Sequence, residues 1–241
     1  MAFKVLIWNA QDWKNAATQT AANQARGQVL TRLLEDHQPD FVCLLETGTA
    51  TNVNQYIAQY VTAAVGLTVD YTAPESILDR DASKSDHDKG MVAFWRDELK
   101  VQWKVWPRSD SERRSLVLFA ASGMPTIGCI HAIAAGTAST QQIYELMQSV
   151  FGKSTGLELL AGDLNHEPEP ARELPKKLQY CCTGKGTQGT PTKMKELDWG
   201  LQTSPPANWT ATRIDAVRGV SFWKGSGGNV SDHAAILYTR S

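Results

Sequence analysis

The chain has 241 residues, of which 42% are hydrophobic and 20% are charged, and its formal net charge is −1. These totals are typical of a globular protein with a sizeable core. A net charge near zero argues against a general electrostatic nucleic-acid binder, although an enzyme that contacts only a few phosphates is compatible with it. The four cysteines are too few for a disulfide framework at this length.

No apolar run approaches the ~18 residues that a membrane-spanning helix needs. The N-terminus enters a strand pattern at once, so we expect no secretory signal within the sequence as given. We therefore expect no membrane span, and a protein that is either cytoplasmic or delivered or secreted without a cleaved signal peptide.

Hydrophobic periodicity predicts three helices and nine strands. The segment 74–90 is polar and is predicted to be a loop. The predicted helices cover residues 21–37, 54–65 and 141–151. The predicted strands cover residues 3–10, 40–46, 90–96, 101–106, 114–120, 126–134, 157–165, 197–203 and 233–239.

The order of these elements indicates the fold class. Helices are interleaved irregularly among many strands, which does not fit the regular alternation of a single parallel sheet. The pattern favours a mixed α/β protein in which two sheets pack face to face and the helices lie outside. No linker or internal repeat divides the chain, so we expect a single domain over residues 1–241.

Polar side chains recur where apolar runs end or begin. The two most informative groups are Ser231-Asp232-His233 and the run from Gly162 to Asn165. One acid at a strand end is usually a turn residue or a helix cap. Here the pattern recurs on six segments, which one shared site explains better than six independent caps. The residues concerned are Asn9, Glu46, His131, Asp163, Asn165, Asp198, Asp232 and His233.

The residue types in this set restrict the chemistry. Glu46, Asp232 and Asn9 offer hard oxygen ligands, which suit Mg²⁺, with Mn²⁺ or Ca²⁺ as alternatives, rather than zinc. Two histidines beside carboxylates suit proton transfer near neutral pH, and Asp198 is a candidate to fix the tautomer of His233. Together these residues predict metal-assisted hydrolysis of a phosphate ester.

The ordered motifs WNAQ, FVCLLET, GMVAFWR, CIHAIA, AGDLNHEP, ELDWGL and VSDHAAI resemble those of the endonuclease/exonuclease/phosphatase superfamily. The resemblance extends from Trp8 to Tyr238. Within the superfamily it favours the deoxyribonuclease I-like branch, and it is greatest to the catalytic B subunits of cytolethal distending toxins. Gln11 stands where the abasic-site endonuclease branch has an acid, which weighs against that branch.

The resemblance implies a four-layer αββα sandwich and a divalent-metal phosphodiesterase. It implies that Glu46 is the chief metal ligand, aided by Asn9 and Asp232, and that Asp163 and Asn165 position the nucleophilic water and the scissile phosphate. His233, oriented by Asp198, becomes a general base or phosphate binder, and His131 a general acid or transition-state stabiliser. Further phosphate contacts are expected from Asn165, Gln11 and either Arg113 or Arg114.

Two loops leave alternatives open. A carboxylate partner of His131 is not evident, and Asp86, Asp88 and Glu75 are candidates, although solvated loop acids explain these residues as well. The segment 176–195 contains five lysines and no acid. It is either a loop that follows phosphates or a solvated hairpin.

Three functions fit these expectations. The first is a magnesium-dependent deoxyribonuclease that nicks DNA through its phosphate backbone, either intracellular or a toxin-like effector. The second is a phosphatase acting on phosphoinositides or another phosphomonoester at the same site. The third, a catalytically inactive binding module, is disfavoured because the set of ligands and histidines is complete. We expect a monomer; the sequence identifies no delivery or inhibitor protein.

Overall fold

The structure is a computed structural model. It describes residues 2–11, 13, 20–47, 53–67, 70–77, 90–106, 115–132, 140–154, 156–169, 172–175, 177–190, 192–203 and 208–241.

The described residues form three α-helices, one 3-10 turn and sixteen strands. The helices are α1 (Ala21–His37), α2 (Val53–Thr62) and α3 (Thr140–Lys153), and the 3-10 turn is Lys224–Ser226. The strands are β1 (Phe3–Asn9), β2 (Phe41–Leu45), β3 (Glu75–Ile77), β4 (Met91–Trp95), β5 (Gln102–Val105), β6 (Ser115–Ala120), β7 (Thr126–His131), β8 (Leu157–Asp163), β9 (Leu178–Cys181), β10 (Gln188–Thr190), β11 (Lys193–Lys195), β12 (Asp198–Thr203), β13 (Trp209–Ile214), β14 (Ala216–Val217), β15 (Val220–Ser221) and β16 (Ala235–Arg240).

Two six-stranded mixed sheets carry the fold. The first has the strand order β13-β16-β1-β2-β4-β3 and the second has the order β5-β6-β7-β8-β12-β9. In the first sheet β1 is parallel to β2 and antiparallel to β16. In the second sheet β7 is parallel to β8, and β8 is antiparallel to β12. The strands β10 and β11, and likewise β14 and β15, form separate hairpins.

Three apolar clusters separate four layers. One lies between α1, α2 and the outer face of the first sheet, and includes Leu30, Leu33 and Trp8. The second lies between the two sheets and includes Ile7, Cys43, Cys129 and Ala161. The third lies between the second sheet and α3, and includes Ile130, Tyr144, Met147 and Leu160. This αββα sandwich confirms the expected fold class.

Local sequence explains the boundaries of the long elements. The Thr20 side chain accepts a hydrogen bond from the Asn23 amide and begins α1. Gln38, with φ of 43°, ends α1 in the left-handed conformation just before Pro39. Every residue of β2 is buried, because alternate side chains contact the inter-sheet core and the helix-facing core.

One prediction differs from the structure. The loop predicted over residues 74–90 contains β3, which pairs with β4, and its remaining residues from 78 to 89 lie outside the described residues. Of the two alternatives for the lysine-rich segment, the structure shows the hairpin: β10 and β11 pair, and the residues of β11 are exposed. The same segment also contains β9. Within the described residues, none of the helices combines the length and apolar character that crossing a membrane requires.

Candidate active site

The first sheet delivers two polar side chains to one edge of the sandwich. Asn9 is the last residue of β1, and its register partner Leu45 is the last residue of β2. Glu46 follows β2 directly and therefore lies beside Asn9. The Asn9 side-chain amide donates to Glu46 Oε1 at 3.2 Å. Both side chains are buried.

The second sheet brings three more side chains to the same edge. His131 ends β7 and pairs in register with Asp163, which ends β8. Asp198 begins β12, which runs antiparallel to β8, and it is also the register partner of Asp163. The three residues therefore share one level of the sheet.

The Ser231-Asp232-His233 motif closes this edge from the C-terminal side. It precedes β16, which is antiparallel to β1, so it lies next to the end of β1. The Ser231 hydroxyl donates to the Asn9 carbonyl at 3.0 Å and accepts from the His233 amide at 3.1 Å. Ser231 thereby fixes the motif to the strand that carries Asn9.

Asp163 is the centre at which the two sheets meet. The Asn9 side-chain amide donates to Asp163 Oδ2 at 2.8 Å, across the sandwich. Nε2 of His131 lies 3.8 Å from the same oxygen and 3.5 Å from Glu46 Oε1. Nε2 of His233 also lies 3.8 Å from Asp163 Oδ2. Asp163 therefore belongs to two groups that could each hold a metal ion, Glu46–His131–Asp163 and Asp163–Asp198–His233.

His233 and Asp198 form a buried pair whose side-chain atoms Nδ1 and Oδ2 are 2.9 Å apart. Burial lowers the pKa of His233, but Asp198, Asp163 and Asp232 together outweigh burial and raise it to about 10. Burial raises the pKa of Asp198 to about 6, against the opposing effect of the His233 charge. Near pH 7 the pair is therefore an imidazolium beside a carboxylate.

Three residues at this edge adopt left-handed backbone conformations that are uncommon outside glycine. They are Gln11, Glu46 and Asn165, with φ of 47°, 59° and 53°. Asn165 is held in place because its amide donates to Asp163 Oδ1 at 2.9 Å and its side chain donates to the Ala132 carbonyl at 2.7 Å. Such conformations concentrate at functional sites.

The donor set fits a divalent cation. Oδ1 of Asp232 is buried and has no hydrogen-bond partner among the described residues. Its other oxygen, Oδ2, accepts only a long 3.4 Å hydrogen bond from Gln188. Clustered carboxylates that lack donors are stabilised by a cation, and hard oxygens suit Mg²⁺, Mn²⁺ or Ca²⁺.

The structure describes only some of the remaining predicted residues. Arg113 and Arg114 lie outside the described residues, as do Asp86 and Asp88. Glu75 accepts a hydrogen bond from the indole of Trp103 at 2.8 Å. The carboxylates that the structure places beside His131 are Glu46 and Asp163.

The sequence analysis missed three side chains that support the site. The Thr187 hydroxyl accepts from the Asp198 amide at 2.9 Å and from the Leu197 amide at 3.0 Å. Gln188 reaches Asp232, and Lys224 donates to Gln11 Oε1 at 3.3 Å. All three lie in glycine-rich segments without hydrophobic periodicity, so the sequence carried no signal for them.

The protein is therefore an αββα sandwich whose polar site lies at one edge, where the inter-sheet core ends. No family model and no curated protein matches the sequence. Solved structures do match the fold. An endonuclease/exonuclease/phosphatase family protein from Leptotrichia buccalis is 14% identical with a TM-score of 0.65, and 99% of each chain is covered. The chain thus has the endonuclease/exonuclease/phosphatase fold.

Two other solved structures are similar over the whole chain. TDP2 from D. rerio complexed with a single-strand DNA product is 16% identical with a TM-score of 0.61, covering 100% of this chain and 99% of that one. A mannosyl-6-phosphatase from Bacteroides thetaiotaomicron is 15% identical with a TM-score of 0.56, covering 99% of both chains. At these identities the likeness establishes the fold.

Proposed function

We propose that this protein is a divalent-metal-dependent phosphodiesterase that hydrolyses DNA. The observation that carries the proposal is the position of Asp163, which touches both sheets and is flanked by two histidines. A buried carboxylate shared between two possible metal groups, with imidazoles on both sides, suits hydrolysis of a phosphate ester.

Glu46 and Asp232, aided by Asn9, would hold the metal. When bound, the cation supplies positive charge that neutralises the phosphate and activates water. The Asn9 amide nitrogen separates Glu46 from Asp163, so it keeps two like charges from direct contact. Gln11 adds to this arrangement because its backbone amide donates to Asn9 Oδ1 at 3.0 Å and so fixes the amide orientation.

Asp163 and Asn165 would position the attacking water and the phosphate. Each oxygen of Asp163 accepts one hydrogen bond, from the Asn165 amide and from the Asn9 side chain. The carboxylate therefore has a fixed orientation before substrate arrives, which lowers the cost of reaching the reactive geometry.

The two histidines differ in their surroundings, and so in their proposed roles. The pKa of about 10 keeps His233 charged near pH 7, which favours binding the phosphate over acting as the base. Asp198 holds Nδ1 of His233 and leaves Nε2 directed toward Asp163. His131 carries no such dedicated carboxylate on its other nitrogen among the described residues, and we assign it the role of general acid at the leaving group.

DNA is the preferred substrate for two reasons. The motifs of this chain resemble the deoxyribonuclease I-like branch, and above all the toxin B subunits, which favours a nicking nuclease and a toxin-like effector. The solved TDP2 structure of the same fold contains a single-strand DNA product. Asn165 and either Arg113 or Arg114 would contact backbone phosphates, and the protein would act as a single-domain monomer.

The second candidate is a phosphomonoesterase. One of the structures with this fold is a mannosyl-6-phosphatase. On this chain the exposed residues Lys185, Lys193 and Lys195 could contact a multiply phosphorylated head group. The two candidates share the site and differ only in the group attached to the phosphate.

Conversion of supercoiled plasmid, measured with magnesium and with chelator, tests the proposal. We expect metal-dependent nicking by the wild type and a loss of about 10²- to 10⁴-fold in His131→Ala. Lys153→Gln is the matched control, since Lys153 is exposed at the end of α3 away from the site. Phosphate release from phosphoinositides is measured on the same samples. Intact plasmid with metal-dependent phosphate release would move the assignment to a phosphatase, and no activity in either assay would contradict both.

A further inference from the structure

Lys224 is a cation placed beside the candidate site for which no role has yet been given. It begins the 3-10 turn Lys224–Ser226, is partly buried, and directs its ammonium group at Gln11 Oε1. Among the described residues no carboxylate forms an ion pair with it, although the neighbouring site contains four carboxylates. A partly buried lysine beside four carboxylates would be expected to pair with one of them.

Gln11 holds the lysine away from the nearest carboxylate. Its side-chain oxygen accepts both the Lys224 ammonium, at 3.3 Å, and the backbone amide of Asp232, at 3.1 Å. If Lys224 served only to balance the charge of the site, its ammonium would be expected on Asp232 itself. Instead one neutral amide lies between the ammonium and the metal-ligand candidate, and no other described residue accepts from the remaining donors of the ammonium.

The position of Lys224 along the edge indicates what those donors would bind. Two chains of contacts lead from Asp163 to Lys224. One runs through Asn9 and Gln11, and the other runs through His233, Asp232 and Gln11. Lys224 therefore lies beyond the side chains that surround Asp163. A group bound there would belong to the same substrate but lie beside the reacting phosphate.

We propose that Lys224 binds the phosphate adjacent to the reacting one, and so selects a substrate with consecutive phosphates along a nucleic-acid strand. The inference rests on the proposed function, because it takes the Asp163 centre as the reacting one. Gln11 is then a positioning residue for Lys224 rather than the primary phosphate ligand. Phosphodiester backbones present one such charge at every nucleotide, so a fixed lysine at this place contributes affinity without reading sequence.

Binding measurements in chelator separate this inference from catalysis. The probe is a fluorescent single-stranded oligodeoxynucleotide of about ten nucleotides, titrated over roughly 50 to 200 mM salt. Each lost phosphate contact on a single strand lowers the salt slope by about 0.7. We expect Lys224→Gln to weaken binding about fivefold at low salt and to lower the slope by that amount. Lys153→Gln, which removes the same charge far from the site, is expected to match the wild type.

A second variant tests the link to Gln11. Gln11→Glu replaces the hydrogen bond with an ion pair. The Lys224 charge is then still present but is neutralised by the new carboxylate. We expect Gln11→Glu to reproduce the lower slope, and Lys224→Gln to have little further effect in that background. Independent, additive losses would contradict the positioning role of Gln11. Far-ultraviolet circular dichroism and thermal unfolding of each variant identify any loss that comes from misfolding.

Two further ligands decide which phosphate is contacted. Thymidine monophosphate serves as a competitor with a single phosphate. The loss of affinity caused by Lys224→Gln should be at least about threefold smaller for this competitor than for the oligonucleotide. Equal losses would place Lys224 on the reacting phosphate and overturn the inference, as would an unchanged salt slope. An inositol polyphosphate is the second competitor. If it binds better than the oligonucleotide and depends on Lys224 to the same degree, the substrate would be a phosphorylated head group and not a nucleic-acid strand. If plasmid nicking fails while the Lys224-dependent slope persists, the proposed function fails and the adjacent anion site remains.

Discussion

Asp198→Asn is the change that most directly tests the electrostatics of the site. The substitution keeps the size of the side chain and an oxygen that can accept from His233 Nδ1, which is 2.9 Å from Oδ2 of Asp198. It removes one negative charge from a pair that is almost fully buried. Burial, which lowers the pKa of His233, is then opposed only by Asp163 and Asp232. We expect the pKa of His233 to fall from about 10 to near or below its ordinary value of 6.5.

The magnitude follows from proton linkage. A folded-state pKa above the unfolded value contributes stability that is complete below the unfolded pKa and is lost as pH rises toward the folded pKa. For His233 this window runs from 6.5 to about 10. Each pH unit within it changes the free energy of unfolding by about 1.4 kcal/mol. The wild type should therefore lose about 2–3 kcal/mol through His233 between about pH 7 and pH 9, and Asp198→Asn should lose little through this group.

Two measurements in metal-free buffer check this expectation. The first follows the His233 imidazole signals by NMR through a pH titration, with His233→Gln used to assign them. The second compares urea unfolding of wild type and variant at the two pH values. At about pH 7 the variant should be less stable by about 1–3 kcal/mol, because a buried charge loses its partner. The difference should shrink at about pH 9, because the unfolded wild type has by then lost the His233 proton, which the chain must take up again when it folds.

Asp40→Asn is the matched control. Asp40 is also a buried aspartate with a cationic partner, since Arg96 lies 3.0 Å away. It precedes β2 and so lies at the edge opposite Glu46. This variant should lose stability but leave the His233 titration unchanged. An Asp198→Asn protein whose His233 still titrates near 10, or whose stability deficit is the same at both pH values, would refute the reasoning.

Three further predictions address the metal, the support of the site and the core. Glu46→Gln should weaken Mn²⁺ or Mg²⁺ binding by at least about tenfold in calorimetry, while thermal stability in chelator changes little or rises, because a buried charge is removed. Thr187→Val should destabilise the fold by about 2–4 kcal/mol in urea unfolding, since two backbone amides lose their acceptor; an effect below about 0.5 kcal/mol would contradict the hydrogen bonds. Gly128→Ala should cost about 1–3 kcal/mol, because its Cβ would lie 2.6 Å from Leu160 Cδ1, and Leu160→Val in the same chain should recover part of that loss.

The long elements could be predicted because their patterns repeat. The helix predicted over residues 21–37 has the bounds Ala21–His37 in the structure, where a capping threonine and a following proline mark its ends. The nine predicted strands are all present. Eight of them are apolar runs that pack in a core, whereas β5 is exposed along its length and is held by pairing with β6. In each case local sequence and tertiary packing favour the same structure.

The short strands could not be predicted, because their stability comes from pairing rather than from burial. β10 and β11 span three residues each, and Gly189 approaches Lys193 so closely that a Cβ would lie 2.0 Å from its carbonyl oxygen. In strand β13 the two end residues are buried and the four residues between them are exposed or partly exposed. The strand is held by its pairing with β16. A single sequence does not contain the identity of such a partner.

The site was predictable to the extent that strand ends reveal it. Asn9, Glu46, Asp163 and Asp198 each end or begin an apolar run, and the structure places them at one edge of the sandwich. Their roles stay predictions. Lys224 comes instead from a segment without periodicity, and only the folded chain places it beside Gln11. Its contribution depends on three-dimensional position, which composition and spacing do not encode.

The site is the polar continuation of the inter-sheet core, and this explains why the fold fixes its geometry. Alternate residues of a strand share a face. In β1 the core residues Val5 and Ile7 are followed on the same face by Asn9. In β7 and β8 the same alternation leads from Cys129 to His131 and from Ala161 to Asp163. A shift of one residue in any of these strands would turn the polar side chain toward the helices and bring an apolar one to the site. The apolar pattern that holds the two sheets together therefore also sets the distances among the polar groups.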